Sequence, residues 1–363
     1  MDVGTTLLTA AIGAGVAALS TPWVARFARA AGVIDRPDER KVSDRPDMPL
    51  LGGLAVLAGL AVAVAAGLWL GEVDFEPRHA ALPAGALLIV LLGVCDDRFG
   101  LGAGIKFAVQ LVAAFAAIGA GLTIDYVTDP ISKESVALPE WLAFGITVFW
   151  ILGITNAINL IDGLDGLAAG VSVIIGITLG VICWQSDAAL GVVLAAGLVG
   201  ALLGFLPFNF APARIFLGDT GSLLLGYSLA LLALLGYRQV TLLTFVVPLL
   251  ALAFPILDTL LSIFRRVRRG RNPFSADRQH MHHRLLAFAG SHQGACLQVY
   301  WVTGAYCLLA VSFTKLEGIV AAACLLAVLF LSVRLLRNLG VLGDLPDEPP
   351  GKHLGVGRKD EVA

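Results

Sequence analysis

The chain has 363 residues, of which 58% are hydrophobic and only 14% charged, and its mean hydropathy is +0.85. Soluble domains carry about 25% charged residues, so this composition argues against a water-soluble globular protein. The net charge of −2 offers no electrostatic footprint for nucleic acid, and no nucleic-acid partner is expected.

Apolar runs of roughly 20 residues recur along the whole length, the pattern of an all-α, polytopic membrane protein. Eleven spans are expected, near residues 5–23, 50–71, 82–96, 104–123, 141–158, 165–184, 188–207, 217–236, 241–263, 297–314 and 318–335. The first lacks a basic leader and reads as a span rather than a cleaved signal. The third is short, and its start is expected before Leu82. The cysteines (Cys95, Cys183, Cys296, Cys307, Cys324) form no CxxC or Cys/His pattern, and they read as small core or lipid-facing residues.

Eleven spans put the termini on opposite faces. With the 24–49 loop placed in the cytoplasm, 21 of the 25 Lys and Arg fall inside; only Arg78, Lys133, Arg238 and Lys315 fall outside. That bias sets the N-terminus outside and the C-terminus inside. Residues 1–338 read as one polytopic domain. Residues 339–363, charged and rich in Pro and Gly, read as a disordered cytoplasmic tail.

Four polar clusters interrupt this apolar sequence, and the expected topology puts all four at helix ends and short loops on the cytoplasmic face. "CDDRFGLGAGIK" carries Asp96, Asp97 and Lys106. "NAINLIDGLDG" carries Asn156, Asn159, Asp162 and Asp165, and "NFAPARIFLGDTGS" carries Asn209, Asp219, Thr220 and Ser222. "RRVRRGRNPFSADRQHMHHRL" carries a run of arginines with Arg278, His280, His282 and His283. Charges at membrane depth are expensive and mark function, so one site facing the cytoplasm is expected.

Each cluster also has a plain reading. Asn and Asp cap helices, but one cap needs one residue and the 156–165 hairpin has four. Asp96 and Asp97 repel each other unless a cation, a proton or a basic group intervenes. Either they are solvated loop carboxylates, or they serve Mg²⁺, which takes one or two carboxylates together with substrate phosphates. Lys106 then suits a phosphate counter-charge. "FLGDTGS" reads as a phosphate-handling turn with small residues, backbone N–H groups, one carboxylate and two hydroxyls, although it lacks the Gly-Lys-Ser/Thr of a Walker A loop. The histidines lack the spacing of a zinc site and suit phosphate or sugar contacts. The arginine run also suits anchorage at anionic headgroups. Together these parts fit transfer of a phosphorylated group between a nucleotide and a lipid.

The five motifs "DERKVSDRPDMPLLGG", "DDRFGLGAGIK", "NAINLIDGLDGLA", "FLGDTGSLLLG" and "RQHMHHRLL" span roughly residues 38–286. In that order they resemble the polyprenyl-phosphate N-acetylhexosamine-1-phosphate transferases of the bacterial inner membrane. "HMHH" resembles the branch that uses UDP-N-acetylglucosamine in the first membrane step of envelope polysaccharides such as O-antigen, common antigen or teichoic acid linkage units. The peptidoglycan branch usually shows three adjacent histidines. Ser43 and Leu50 depart from the His and Arg common in the family's first loop.

The resemblance implies that Asp219 and Asn159 bind Mg²⁺, with Mn²⁺ a substitute, and that Asp96 and Asp97 serve the lipid phosphate or its metal. It implies that Lys106 holds phosphate, with Asp162 and Asp165 in the same catalytic group. Asn156, Asp162 and Asp165 would shape the nucleotide-sugar pocket; Phe216, Arg278, His280, His282 and His283 would contact the donor. The implied partners are UDP-N-acetylglucosamine, undecaprenyl phosphate and membrane lipid, and a homodimer is compatible with it.

On this reading a phosphate oxygen of the lipid attacks the β-phosphorus and UMP leaves. A phosphomonoester is largely dianionic at pH 7, so positioning and charge neutralisation matter more than a base. Whether Asp96 or Asp97 acts as a base stays open. The alternatives are a phospho-MurNAc-pentapeptide transferase, a membrane prenyltransferase, which should show Asp-rich NDxxD-type repeats, and a transporter, which should show internal repeats. Neither kind of repeat is evident.

Overall fold

A computed structural model describes residues 1–35, 47–71, 76–128, 135–236 and 291–313, with Val73 and a few isolated positions beyond. Nine long helices lie among the described residues: α1 (Val3–Ala30), α2 (Gly52–Leu70), α3 (Ala81–Phe99), α4 (Ala103–Gly119), α5 (Glu140–Ile161), α6 (Leu167–Gln185), α7 (Ala189–Asn209), α8 (Gly218–Gly236) and α9 (His292–Phe313). A 3₁₀ turn, Pro77–Ala80, precedes α3 and lengthens that span to Pro77–Phe99, which accounts for the short apolar run.

Nine of the eleven expected spans therefore coincide with described helices. Eight are long and apolar enough to cross a membrane, and α4, with 17 residues, falls just short. The spans expected at 241–263 and 318–335, and the tail 339–363, lie largely or wholly outside the described residues. One element was not expected. Between α4 and α5, strand β1 (Tyr126–Thr128) pairs antiparallel with β2 (Ser135–Ala137), Tyr126 opposite Ala137. Three residues per strand are too few to set up a readable alternation.

Helix α8 is the centre of the bundle. Every residue from Thr220 to Gly236 is buried, as expected for a helix that is apolar all round. It packs against α2, α3, α5 and α6. Small residues let the backbones close up: a Cβ on Gly93 of α3 would come within 2.3 Å of the Thr220 Cα. Polar side chains tie α8 to its neighbours. The Tyr227 hydroxyl donates to the Ala113 carbonyl at 3.1 Å, and the Trp150 indole donates to the Ala230 carbonyl at 3.3 Å.

The outer surface is the inverse of a soluble one. Trp69, Phe149 and Trp301 are each about four-fifths exposed, on helices long enough to span a bilayer. Exposed apolar surface on this scale marks contact with lipid, so the chain is a multi-pass membrane protein. Cys183, Cys296 and Cys307 are buried and Cys95 is exposed, all as free thiols. Cys324 lies outside the described residues.

Candidate active site

The end of α3 and the starts of α4 and α8 meet at Asp219, together with the last turns of α5. Asp219 lies in the first turn of α8, where the helix dipole favours a carboxylate. Lys106, in the first turn of α4, reaches it with Nζ at 2.8 Å from Oδ2 and also touches the Asp96 carboxylate. The Asn159 amide, near the end of α5, donates to Asp219 Oδ1 and to Ser222 Oγ, both at 2.8 Å. Asp96 Oδ1 in turn accepts the Leu101 amide at 2.6 Å. Residues drawn from three separate sequence motifs thus converge on one point, with an ammonium between two carboxylates.

Asp97 has a different position from its neighbour. Its carboxylate accepts the backbone N–H groups of Asp219 and Thr220 at 2.8 and 3.0 Å and the Thr220 hydroxyl at 2.6 Å. It acts as the cap of α8, satisfying amides that a helix start leaves unpaired. Gly218 makes this approach feasible: its φ is +71°, and a Cβ there would lie 2.5 Å from Asp97 Oδ2. Two of the backbone N–H groups of "FLGDTGS" are thus already engaged. The Asp219 and Thr220 amides are taken up by Asp97 and are not available to a phosphate.

The remaining sequence candidates divide into those near this point and those set back from it. Asn156, one turn from Asn159, faces α4 and exchanges hydrogen bonds with Gln110: its Nδ2 donates at 2.7 Å and its Oδ1 accepts at 3.3 Å. Asp162 caps the end of α5. Asp165 Oδ2 accepts the Ala213 amide at 2.9 Å, joining the α5–α6 loop to the segment before α8. Phe216 is half-buried, and its backbone pairs with Pro49 and Gly52 at 2.9 and 3.0 Å. Arg278, His280, His282 and His283 lie outside the described residues, as does Ser43. Leu50 is buried against Ala28 and Val33.

Sequence reasoning missed four residues. Gln110 is a lone polar side chain in an apolar run, and that isolation was the available signal. Gln293, Cys296 and Tyr300 of α9 donate to the carbonyls of Ala211 (2.7 Å), Asp165 (3.4 Å) and Gly166 (2.6 Å). Their spacing puts them on one helix face, so α9 holds both loops that flank the site.

The donor set fits a hard divalent cation. Asp96 and Asp219 present carboxylate oxygens to one point that already accommodates the positive charge of Lys106. Among the described residues no group of three His, Cys, Asp or Glu side chains converges as a metal cage. Two carboxylates suffice for Mg²⁺ when phosphates complete its shell.

Comparison with known proteins shows the family. Residues 79–237 match the family described as glycosyl transferase family 4. A Bacillus subtilis protein named "probable undecaprenyl-phosphate N-acetylglucosaminyl 1-phosphate transferase" is 45% identical over 284 residues, 78% of this chain and 77% of the relative. A decaprenyl-phosphate N-acetylglucosaminephosphotransferase of Mycolicibacterium smegmatis is 37% identical, over 81% of this chain and 78% of the relative. An undecaprenyl-phosphate alpha-N-acetylglucosaminyl 1-phosphate transferase of Escherichia coli K12 is 30% identical, over 72% of this chain and 71% of the relative. The family match runs through the 96–106, 156–165 and 216–222 motifs that meet at Asp219, and the chain belongs to glycosyl transferase family 4, among the polyprenyl-phosphate N-acetylhexosamine-1-phosphate transferases.

Proposed function

We propose that the protein transfers N-acetylglucosamine-1-phosphate from UDP-N-acetylglucosamine to undecaprenyl phosphate, releasing UMP, as the first membrane step of an envelope polysaccharide. The carrying observation is the convergence of Lys106 and Asn159 on Asp219 beside Asp96. The names of the relatives support the acceptor class and the sugar.

Asp219 and Asn159, with Asp96 beside them, would hold Mg²⁺, which when bound supplies charge neutralisation for the donor diphosphate. Lys106 adds a positive charge at the same place. Asn159 fixes Asp219 by its amide, and Asp97 fixes the turn that carries Asp219. Asp162, Asp165 and Asn156 shape the walls through the loops and α4. The lipid phosphate reaches phosphorus already charged, so these residues act by orientation and electrostatics rather than as a base. The apolar runs support eleven spans, and the Lys and Arg bias supports an outer N-terminus and a cytoplasm-facing site in the inner membrane. Phe216, Arg278, His280, His282 and His283 complete the donor contacts, and a homodimer is compatible with the exposed apolar faces.

The test is UMP release by the purified protein with undecaprenyl phosphate and Mg²⁺. UDP-N-acetylglucosamine should react and UDP-MurNAc-pentapeptide should not. A site that hydrogen-bonds its substrate rejects an analogue lacking the group by about 10⁴-fold. Reaction of the pentapeptide donor at a comparable rate overturns the branch. Decaprenyl phosphate in a parallel assay reads the acceptor's chain length.

A further inference from the structure

A cavity of about 600 Å³ opens where the end of α1 meets the segment between α7 and α8. It shares no lining residue with the Asp219 cluster. Three arginines line it: Arg26 and Arg29 from α1, and Arg214, which a backbone hydrogen bond to Phe208 at 2.8 Å holds in a tight turn. Phe208 and Ile215 give it an apolar wall, and among the described residues Asp47 is its one acidic lining residue. Among the described residues, no carboxylate lies within ion-pair distance of these three guanidinium groups. The described lining therefore carries more positive than negative charge.

Its depth in the membrane follows from α1. That helix has 28 residues, about 42 Å at 1.5 Å per residue, against about 30 Å for the hydrocarbon core. Its last turns therefore stand at headgroup level. Leu19, Trp23 and Phe27, spaced by four, form an exposed stripe that runs up to this level. The Arg26 guanidinium stacks over the Trp23 ring at 5.2 Å, as expected for a belt where ring and charge meet the interface.

We propose that this cavity is a binding site for the phosphodiester headgroup of an anionic glycerophospholipid, its acyl chains lying along the α1 stripe. The arginines can engage phosphate oxygens two at a time. The apolar stripe favours a lipid over a free anion. The cavity shares no lining residue with the Asp219 cluster, and the proposal does not rest on the assigned activity.

Native mass spectrometry of the full chain released from detergent tests it. Phosphatidylglycerol should be retained and phosphatidylcholine should not. Each arginine near an anionic surface contributes about fivefold in affinity, so R26Q/R29Q/R214Q should bind phosphatidylglycerol about 100-fold more weakly. Millimolar inorganic phosphate should leave the lipid bound, and so should undecaprenyl phosphate at equal concentration. Should the triple variant not fold, R214Q alone, at an exposed position, should lose about fivefold. Undiminished binding by a folded variant overturns the proposal, as does equal retention of phosphatidylcholine. Displacement by inorganic phosphate would make this a bare anion site, and displacement by undecaprenyl phosphate would make it part of the substrate route; either outcome also overturns it.

Discussion

Asp219 owes its position to neighbours far away in sequence, and removing any one of them should leave a distinct trace. Asp219→Asn keeps the shape and removes the charge. If Asp219 holds the metal and the charge that develops at the diphosphate, the loss is about 4 kcal/mol, or about a thousandfold in UMP release. Membrane insertion and thermal midpoint should stay near those of the parent. Near-normal rates across a Mg²⁺ titration would remove Asp219 from the metal site. Lys106→Met instead leaves Asp96 and Asp219 facing each other with no cation between them. Its side chain is one-quarter exposed, so the cost is taken below that of a fully buried pair, at about 2 kcal/mol. The thermal midpoint should fall, and Mg²⁺ should restore it more than it raises the parent's. A variant midpoint indifferent to Mg²⁺ would show that the two carboxylates do not form a cation site. At this scale the residue types were legible: carboxylates, an amide and a lysine stood out against an apolar background. Their division of labour was not. Asp96 and Asp97 are adjacent in sequence, yet one joins Lys106 and the other caps α8 across 122 residues. No local pattern separates them.

Among the elements, α9 is the least legible from sequence and the most open to test. Its apolar run predicts a span and nothing more. Gln293, Cys296 and Tyr300 meet carbonyls 82 to 134 residues away, pairings that no periodicity encodes. The face they form links the 162–166 loop to the 210–213 segment, the two connections that flank Asp219. Tyr300→Phe removes the hydroxyl that donates to Gly166 and leaves the ring to pack. The loss should be about 1 kcal/mol of local stability. Hydrogen exchange should rise in the 162–166 loop, and kcat should fall more than KM changes, because the site is loosened rather than emptied. Unchanged exchange there would reduce Tyr300 to a packing residue. The β1–β2 hairpin was hidden for another reason: strands this short carry no period. The helices themselves were legible because twenty-residue apolar runs leave the backbone no alternative in lipid.

For the whole molecule, orientation is the claim with the widest consequences, since it decides which compartment supplies the nucleotide-sugar. The physical link between the helix ends limits the choices. Arg98 donates to the Gly32 carbonyl at 2.9 Å, and Gly53 donates to the Leu217 carbonyl at 3.0 Å. The ends of α1 and α3 and the starts of α2 and α8 therefore share one face, the face that carries Asp219. The hairpin, after α4, belongs to the other face. The 21-to-4 division of Lys and Arg predicts that the Asp219 face is cytoplasmic. In a background with all five cysteines replaced, Phe99→Cys and Tyr126→Cys are suitable reporters, because both side chains are well exposed. An impermeant maleimide applied to spheroplasts should label position 126 at once and position 99 only after lysis. The reverse pattern would put the carboxylates on the periplasmic side, where UDP-sugars are not made. It would overturn both the orientation and the proposed donor, while leaving the convergence on Asp219 intact.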